Sequence, residues 1–176
     1  NDIDKNLLNT ISGRFEFDGA YNIRKNGELL SRHITENINI VTKTDNPGID
    51  VYISDGCTGE TVDIPVILTE KGLNDTVYND FYIGKDASVT IIAGCGIHNE
   101  FEADSEHDGI HTFHLEEGAK VKYIEKHYGD GFGSGKKILN PVTEIHLKKN
   151  SLLEMETSQI DGVDDAIRTT RGVLED

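Results

Sequence analysis

The chain has 176 residues, enough for one domain with a substantial core, and its 18 glycines and 36% hydrophobic residues favour a turn-rich fold over a helical bundle. Its net charge of −15, without any run of Lys or Arg, excludes a typical nucleic-acid-binding protein. No apolar run approaches the roughly 18 residues of a membrane span, and NDIDKNLL does not resemble a signal peptide. We therefore expect a cytoplasmic protein without membrane insertion.

The N-terminal segment, residues 1–20, is predicted to contain a short helix. Its leucines and isoleucine follow helical spacing in NDIDKNLLNTI, and Asp2 or Asp4 is a candidate N-terminal cap. From residue 21 onward the sequence alternates apolar and polar residues as strands do, for example in HITENINIVTKT and IDVYISDG.

The strongest pattern is an internal repeat with a period of 32 residues, since FYIGKDASVTII begins at 81, FHLEEGAKVKYI at 113 and IHLKKNSLLEME at 145. Each copy reads as a strand, a turn and an alternating strand, which is too short for a propeller blade. We therefore predict an all-β fold, a right-handed parallel β-helix (β-solenoid) over residues 21–176, after a short N-terminal helical segment.

The final segment, AIRTTRGVLED, alternates as a further strand does. At the 32-residue period the next turn would begin near residue 177, which would leave an uncovered edge at that end of the solenoid. We therefore expect the β-helix to be incomplete at its C-terminus, or to be covered there by a partner.

One line of inward-facing residues turns polar towards the end of the repeat. Alternation and the period place Cys95, His127 and Gln159 in one column, with stacked strands about 4.8 Å apart, and Glu125 on the same face. Burying such groups without partners is costly, so the pattern predicts a polar channel or site in the interior. The alternative is that the strands end earlier and these groups meet solvent.

Cys95 is the candidate nucleophile of this column. A protonated His127 beside it would lower the pKa of the thiol and increase the thiolate fraction. A thiolate in a polar channel is suited to accepting sulfane sulfur as a persulfide. Cys57 lies in the glycine-rich turn SDGCTGE, where we predict no chemical role.

The clustered histidines permit a different function, that of a cupin-like metal-dependent enzyme. Such an enzyme would use His107, His111 and His114 as metal ligands. The sequence offers weak support, because His111 and His114 are three residues apart and face opposite sides of a strand. His107 is expected in a loop, without an anchored partner.

Three stretches of the sequence resemble the core of the SufB/SufD family, the scaffold proteins of SUF iron–sulfur cluster assembly. They are YNDFYIGKDASVTIIAGCGIHN, HDGIHTFHLEEGAKVKYIEKHYG and ILNPVTEIHLKKNSLLEMETSQIDGVDDAIRTTRGVLED. The resemblance covers about residues 50–176 and is closest to short SufB-like members. It implies a parallel β-helix and a sulfur-accepting cysteine that matches Cys95. The roles of His127, Glu125 and Gln159 rest on register alone.

The resemblance also implies partners and cargo. It implies a cytoplasmic complex with a SufC-like ATPase, with a SufB/SufD-type chain or a second copy of this chain, and with a cysteine desulfurase as sulfur donor. A transient iron–sulfur cluster, or its iron and sulfide precursors, would be assembled without being tightly bound to this chain alone. The chain would be a scaffold and not an enzyme. The alternatives are a cupin-like enzyme and a purely structural SufD-like partner.

Overall fold

The computed structural model describes residues 1–175, which contain one helix followed by β-strands. The N-terminal elements are α1 (Asp2–Ser12), β1 (Ala20–Lys25), β2 (Glu28–His33), β3 (Ile38–Thr42) and β4 (Ile49–Ile53). The central strands are β5 (Thr58–Leu68), β6 (Asn74–Ile83), β7 (Ser88–His98), β8 (Ser105–Leu115) and β9 (Lys120–Asp130). The last strands are β10 (Lys137–Leu139), β11 (Val142–Leu147), β12 (Leu152–Asp161), β13 (Asp165–Ala166) and β14 (Thr169–Leu174).

The strands form two sheets that enclose a common core. One sheet has the order β12-β9-β7-β5-β1-β2, and the other has the order β13-β10-β8-β6-β4-β3, with β11 also paired to β8 and β14. From β5 onward the chain alternates between the sheets, and neighbouring strands pair in parallel. We call one full turn of this path a coil. The parallel β-solenoid predicted from the sequence is confirmed, with about four coils.

The strand register follows the sequence repeat through the middle of the fold and departs from it in the last coil. Phe113 pairs with Phe81 and with Ile145, each 32 residues away. Leu174, however, pairs with Leu147 and is only 27 residues further along the chain. The connection between β12 and β13 is shorter than the one between β9 and β10, so the 32-residue period on which the prediction of a turn near residue 177 depends does not continue into the last coil.

Each coil passes from one sheet to the other through a tight turn with the same backbone conformation. The third residue of the turn has a positive φ, at Gly56 (70°), Asp86 (57°), Gly118 (73°) and Asn150 (58°). Glycine, Asn and Asp are the residues that adopt this left-handed conformation most readily. The turn sequences SDGC, GKDA, EEGA and KKNS therefore encode one repeated backbone shape.

The first strands differ from the later coils because they form two antiparallel hairpins. β1 pairs with β2 and β3 pairs with β4, while β1 and β4 also join β5 and β6 in parallel. The outer strands β2 and β3 are thus the edges of the two sheets at this end. The sequence pattern predicts a uniform β-helix from residue 21 onward and gives no indication of these hairpins.

Helix α1 is capped at both ends. The Asn1 side chain accepts a hydrogen bond from the Asp4 backbone N–H (2.8 Å), and Asp4 reaches back to form a capping box. The helix ends at Gly13, which has a left-handed φ of 74°. The helix predicted from the sequence is confirmed, but Asn1 is its cap, in place of Asp2 or Asp4.

The helix lies on the outer surface of β7, where the sequence reads Gly-Cys-Gly. Leu7 and Ile11 are buried in an apolar cluster with Ile23 and Ile67 of the underlying strands. A Cβ atom added at Gly94 would lie 3.0 Å from the Ile11 Cβ, and one added at Gly96 would lie 3.2 Å from the Leu7 Cβ. The two glycines therefore admit the helix outside, while Cys95 between them faces the interior.

We predict that Gly94→Ala destabilises the protein by about 1–3 kcal/mol, because the added methyl group forces the helix away from β7. Gly172→Ala is the matched control, since a Cβ there meets no atom within 4 Å. Urea unfolding should show a change within about 0.5 kcal/mol for the control. Equal stability of the two variants would contradict the proposed contact.

Candidate functional site

The solenoid interior is apolar near the tight turns, and towards the longer connections polar side chains adjoin a second apolar cluster of Val66, Leu68, Cys95, Ile97 and Leu139. The apolar part includes the stacked rings of Phe81 and Phe113, whose centroids are 4.8 Å apart. The polar part holds buried residues from strands of both sheets. They are Asn22, Asp75, Asn79, His107, His111, Glu125 and His127.

The register places the sequence-predicted residues of one column side by side. Cys95 pairs with His127, and His127 pairs with Gln159, as the repeat predicts. Cys95 and His127 are 2% and 8% exposed, and Glu125 is also buried. Gln159 is exposed because β12 is the edge strand of its sheet, so the prediction that it lies in the interior is wrong.

A small cavity lies against Cys95 in the polar part. Its volume is about 20 Å³, which is slightly more than one water molecule requires. Groups from both sheets face it. Among them are Cys95, His107, Gly109, His111, Glu125 and His127.

His107 is held by a buried ion pair and does not lie in a loop, as the sequence had predicted. Its Nδ1 lies 3.0 Å from Asp75 Oδ2, and Arg24 Nη2 donates to Asp75 Oδ1 at 2.8 Å. Burial raises the pKa of Asp75, but His107 and Arg24 outweigh it and bring the pKa to about 2. The ionised Asp75 can only accept a hydrogen bond, so His107 Nδ1 carries a hydrogen.

His111 lies four residues further along β8, with both ring nitrogens engaged. The Ile49 backbone N–H donates to Asn79 Oδ1 (3.1 Å), which turns Asn79 Nδ2 towards His111 Nε2 (3.4 Å). The hydrogen on His111 is therefore on Nδ1, which donates to the Tyr123 hydroxyl at 2.7 Å. Burial lowers the pKa of His111 to about 4, so the ring is neutral at neutral pH.

Glu125 is an ionised carboxylate inside the solenoid. Its Oε1 lies 3.6 Å from His127 Nε2, and Arg168, in the segment before β14, donates to Oε2. Burial raises the pKa of Glu125, but His127, His111 and Arg168 outweigh it and bring the pKa to about 2. A second, partly buried ion pair thus closes the polar interior on the side of the last coil.

The environment of Cys95 opposes thiolate formation. Burial raises the pKa of the Cys95 thiol well above its ordinary value, and the negative charges of Asp75 and Glu125 raise it further. The net shift is therefore opposite to the lowering expected from His127, because burial and the two carboxylates dominate it. The Cys95 thiol is protonated at neutral pH and needs a proton acceptor before it can act as a nucleophile.

Cys57 occupies a different part of the core. It is buried in the apolar cluster at the turn position that Ala87 and Ala119 occupy in the next coils. Its thiol donates to Glu60 Oε2 at 3.2 Å, and burial together with Glu60 raises its pKa to about 11. The packing of the turn accounts for a small buried residue at this position.

The three histidines of the cupin-like alternative do not converge. His107 and His111 face inward, whereas His114 lies on the outer face, stacked between Tyr82 (4.7 Å) and His146 (5.3 Å). Within residues 1–175, no group of three or more His, Cys, Asp or Glu side chains is placed to hold a metal ion. The geometry therefore gives this alternative no support.

Sequence reasoning missed the two anchors of the site, Asp75 and Arg168. Asp75 lies one 32-residue period before His107, so the repeat itself contained a signal for this pair. Arg168 gave no such signal, because the last coil is five residues shorter than the one before it. Its approach to Glu125 depends on that shorter connection.

Comparison with known proteins leaves the function to be argued from this geometry. No family model, curated protein or solved structure matches the chain. Helix α1, the one helix within residues 1–175, lacks the length and apolar character needed to cross a membrane.

We predict that His111 makes the stability depend on pH between about 6.5 and 4. Its pKa of about 4 in the folded protein is below the unfolded value of about 6.5, so the unfolded chain binds the proton first. On acidification across this window, wild type should lose about 3 kcal/mol more unfolding free energy than His111→Gln. Urea unfolding across this pH range tests it.

His33→Gln is the matched control for this prediction, because His33 lies exposed on the edge strand β2. It should retain the wild-type loss of stability on acidification. Identical pH dependence of wild type and His111→Gln would show that the ring is not held neutral in the folded protein.

Proposed function

We propose that this protein is a SufB/SufD-like scaffold component for iron–sulfur cluster assembly that accepts sulfur at Cys95. The observation that carries the proposal is the single thiol on the wall of a buried cavity that it shares with three histidines and a carboxylate. Purely structural packing does not require two ion pairs and three histidines around one cysteine, because apolar side chains fill such a space at lower cost.

The size of the cavity favours a persulfide over a bound cluster. A volume of about 20 Å³ holds roughly one added non-hydrogen atom, such as the terminal sulfur of a Cys95 persulfide. The Cys95 sulfur attacks the sulfane sulfur of a donor persulfide, and the donor leaves as a thiol with the proton that Cys95 gave up. One S–S bond forms and one breaks, so the transfer needs no external oxidant or reductant.

The small number of cysteines in the chain favours assembly of the iron–sulfur cluster together with partner chains. The sequence has two cysteines, and Cys57 lies in a separate part of the core from Cys95. Iron–sulfur clusters are commonly held by four thiolates, so one cavity thiol is too few. In this proposal a second scaffold chain, either another copy or a SufB/SufD-type partner, supplies the remaining ligands for a transient cluster.

The remaining partners follow from the same proposal. A cysteine desulfurase system donates the sulfur, and a SufC-like ATPase hydrolyses ATP, so this chain is not itself an enzyme. The complex works in the cytoplasm. The polar column continues from Cys95 through His127 to the exposed Gln159, which supports a path for sulfur between the interior and the surface.

We predict that sulfur from a cysteine desulfurase and free cysteine accumulates on Cys95 and not on Cys57. The reason is that only Cys95 faces a cavity with room for the added atom, whereas Cys57 is packed in a turn. Anaerobic mass spectrometry of peptides, with persulfides trapped by alkylation, measures the occupancy of each cysteine.

Cys57→Ala is the matched variant, because alanine stands at the same turn position in the next two coils. It should retain persulfide at the wild-type level, and Cys95→Ala should abolish it. Persulfide confined to Cys57, or absent from both cysteines, would refute the proposal and favour a purely structural partner.

A further inference from the structure

The three histidines around the Cys95 cavity differ in what their ring nitrogens contact. His111 has a partner on each nitrogen, Tyr123 on one and Asn79 on the other. His127 directs its Nε2 towards Glu125 at 3.6 Å. His107 differs from His127 in having a hydrogen bond of 3.0 Å, from Nδ1 to Asp75, that fixes its ring, and its Nε2 lies over Gly109, where a Cβ atom would be 3.4 Å away.

Because Gly109 has no side chain, the space between His107 Nε2 and the cavity is open. Gly109 lies between His107 and His111 on the inward face of β8 and lines the same cavity as Cys95. A methyl group there would fill the space next to His107 Nε2 and His111 Nε2, which would be 3.4 Å and 3.2 Å from it. The cavity thus joins the Cys95 thiol to the ring nitrogen of His107 that does not contact Asp75.

We propose that Cys95, His107 and Asp75 form a nucleophile–base–acid triad, in which His107 takes the proton of the Cys95 thiol. Asp75 and Arg24 are positioning residues, because they hold the ring and do not contact the thiol. The assignment rests on the proposed function for its sulfur donor, but the reactivity of Cys95 tests it independently. It replaces His127, which the sequence had indicated, as the partner of the thiol.

Asp75 fixes the properties that a base requires. Its hydrogen bond keeps the proton on Nδ1, so the free electron pair of His107 is on Nε2 and faces the cavity. When His107 accepts the thiol proton, the imidazolium stays beside an ionised carboxylate, as in other triads of nucleophile, histidine and acid. Arg24 compensates the charge of Asp75 in the resting state through three contacts of 2.8–3.3 Å.

The charges around the thiol explain why a dedicated base is needed. Two carboxylates and two guanidinium groups belong to ion pairs, and three imidazoles line the cavity. By element, these groups are Arg24 of β1, Asp75 of β6, His107 and His111 of β8, Glu125 and His127 of β9, and Arg168 before β14. Burial and the two carboxylates raise the pKa of Cys95, so the thiol loses its proton only when an adjacent base accepts it.

The transfer then proceeds with every proton accounted for. The Cys95 S–H proton moves to His107 Nε2 as the sulfur attacks the sulfane sulfur of the donor. The bond between that sulfane sulfur and the donor's own sulfur breaks, and the donor thiolate takes the proton from His107. The products are a Cys95 persulfide and a donor thiol, so neither net charge nor oxidation state changes overall.

The test compares His107→Gln with His127→Gln in the Cys57→Ala chain, where Cys95 is the only thiol. The first measurement is the rate at which Cys95 reacts with methyl methanethiosulfonate, a small reagent, as a function of pH. His107→Gln should slow this reaction about 100-fold near neutral pH and recover at alkaline pH, where hydroxide removes the thiol proton. The reaction rate of His127→Gln should remain at least tenfold higher than that of His107→Gln.

Asp75→Asn provides a second variant should His107→Gln fail to fold. It retains the size of the side chain but removes the charge that stabilises the imidazolium, so the rate should fall and the pH profile should shift to higher pH. His33→Gln, on the exposed edge strand, should leave the profile unchanged. Thermal unfolding of each variant establishes that it is folded.

The second measurement is persulfide formation on Cys95 with a cysteine desulfurase and cysteine. Wild-type rates and profiles in both His107→Gln and Asp75→Asn, with a loss in His127→Gln, would overturn the triad and leave the proposed function standing. Conversely, if Cys95 reacts with the small reagent in a His107-dependent way but gains no sulfur, the triad stands and the proposed function fails.

Discussion

In-register pairing of successive coils determines which side chains meet inside this protein. Each inward side chain stacks on its counterpart one coil away, so an apolar position builds an apolar row, as Phe81 and Phe113 show. A polar position builds a polar row that water does not reach, and its members must satisfy one another. The pairs Asp75–His107 and Asn79–His111 are products of this rule, because each joins residues in register on neighbouring strands.

The Gly-Cys-Gly stretch connects this interior with the N-terminal helix. Gly94 and Gly96 allow Leu7 and Ile11 to approach the outside of β7, and strand alternation then turns Cys95 inward. The helix covers the outer surface of the strand that carries the thiol. The Cys95 thiol is therefore shielded on this side and faces the interior cavity, where the surrounding charges act on it.

Burial and those charges keep the Cys95 thiol protonated, and therefore unreactive, at neutral pH. Burial and two carboxylates raise the pKa of Cys95, which suppresses the thiolate that oxidants and adventitious electrophiles attack. Each carboxylate is balanced by an arginine, so the site remains close to neutral despite the net charge of −15 on the chain. In the proposed triad, activation by the His107 imidazole confines this reactivity to the moment when a sulfur donor is in place.

By itself, the sequence determined the repeat, the alternation of strand faces, the shape of the turns and the pairing of Cys95 with His127, because these depend on period and register alone. Asp75 could have been found by the same period. Only the tertiary structure decided the direction of the Cys95 pKa, the exposure of Gln159, the N-terminal hairpins and the approach of Arg168 to Glu125. These depend on charges that face each other across two sheets and on the segments where the period changes, and a periodic pattern carries no information about either.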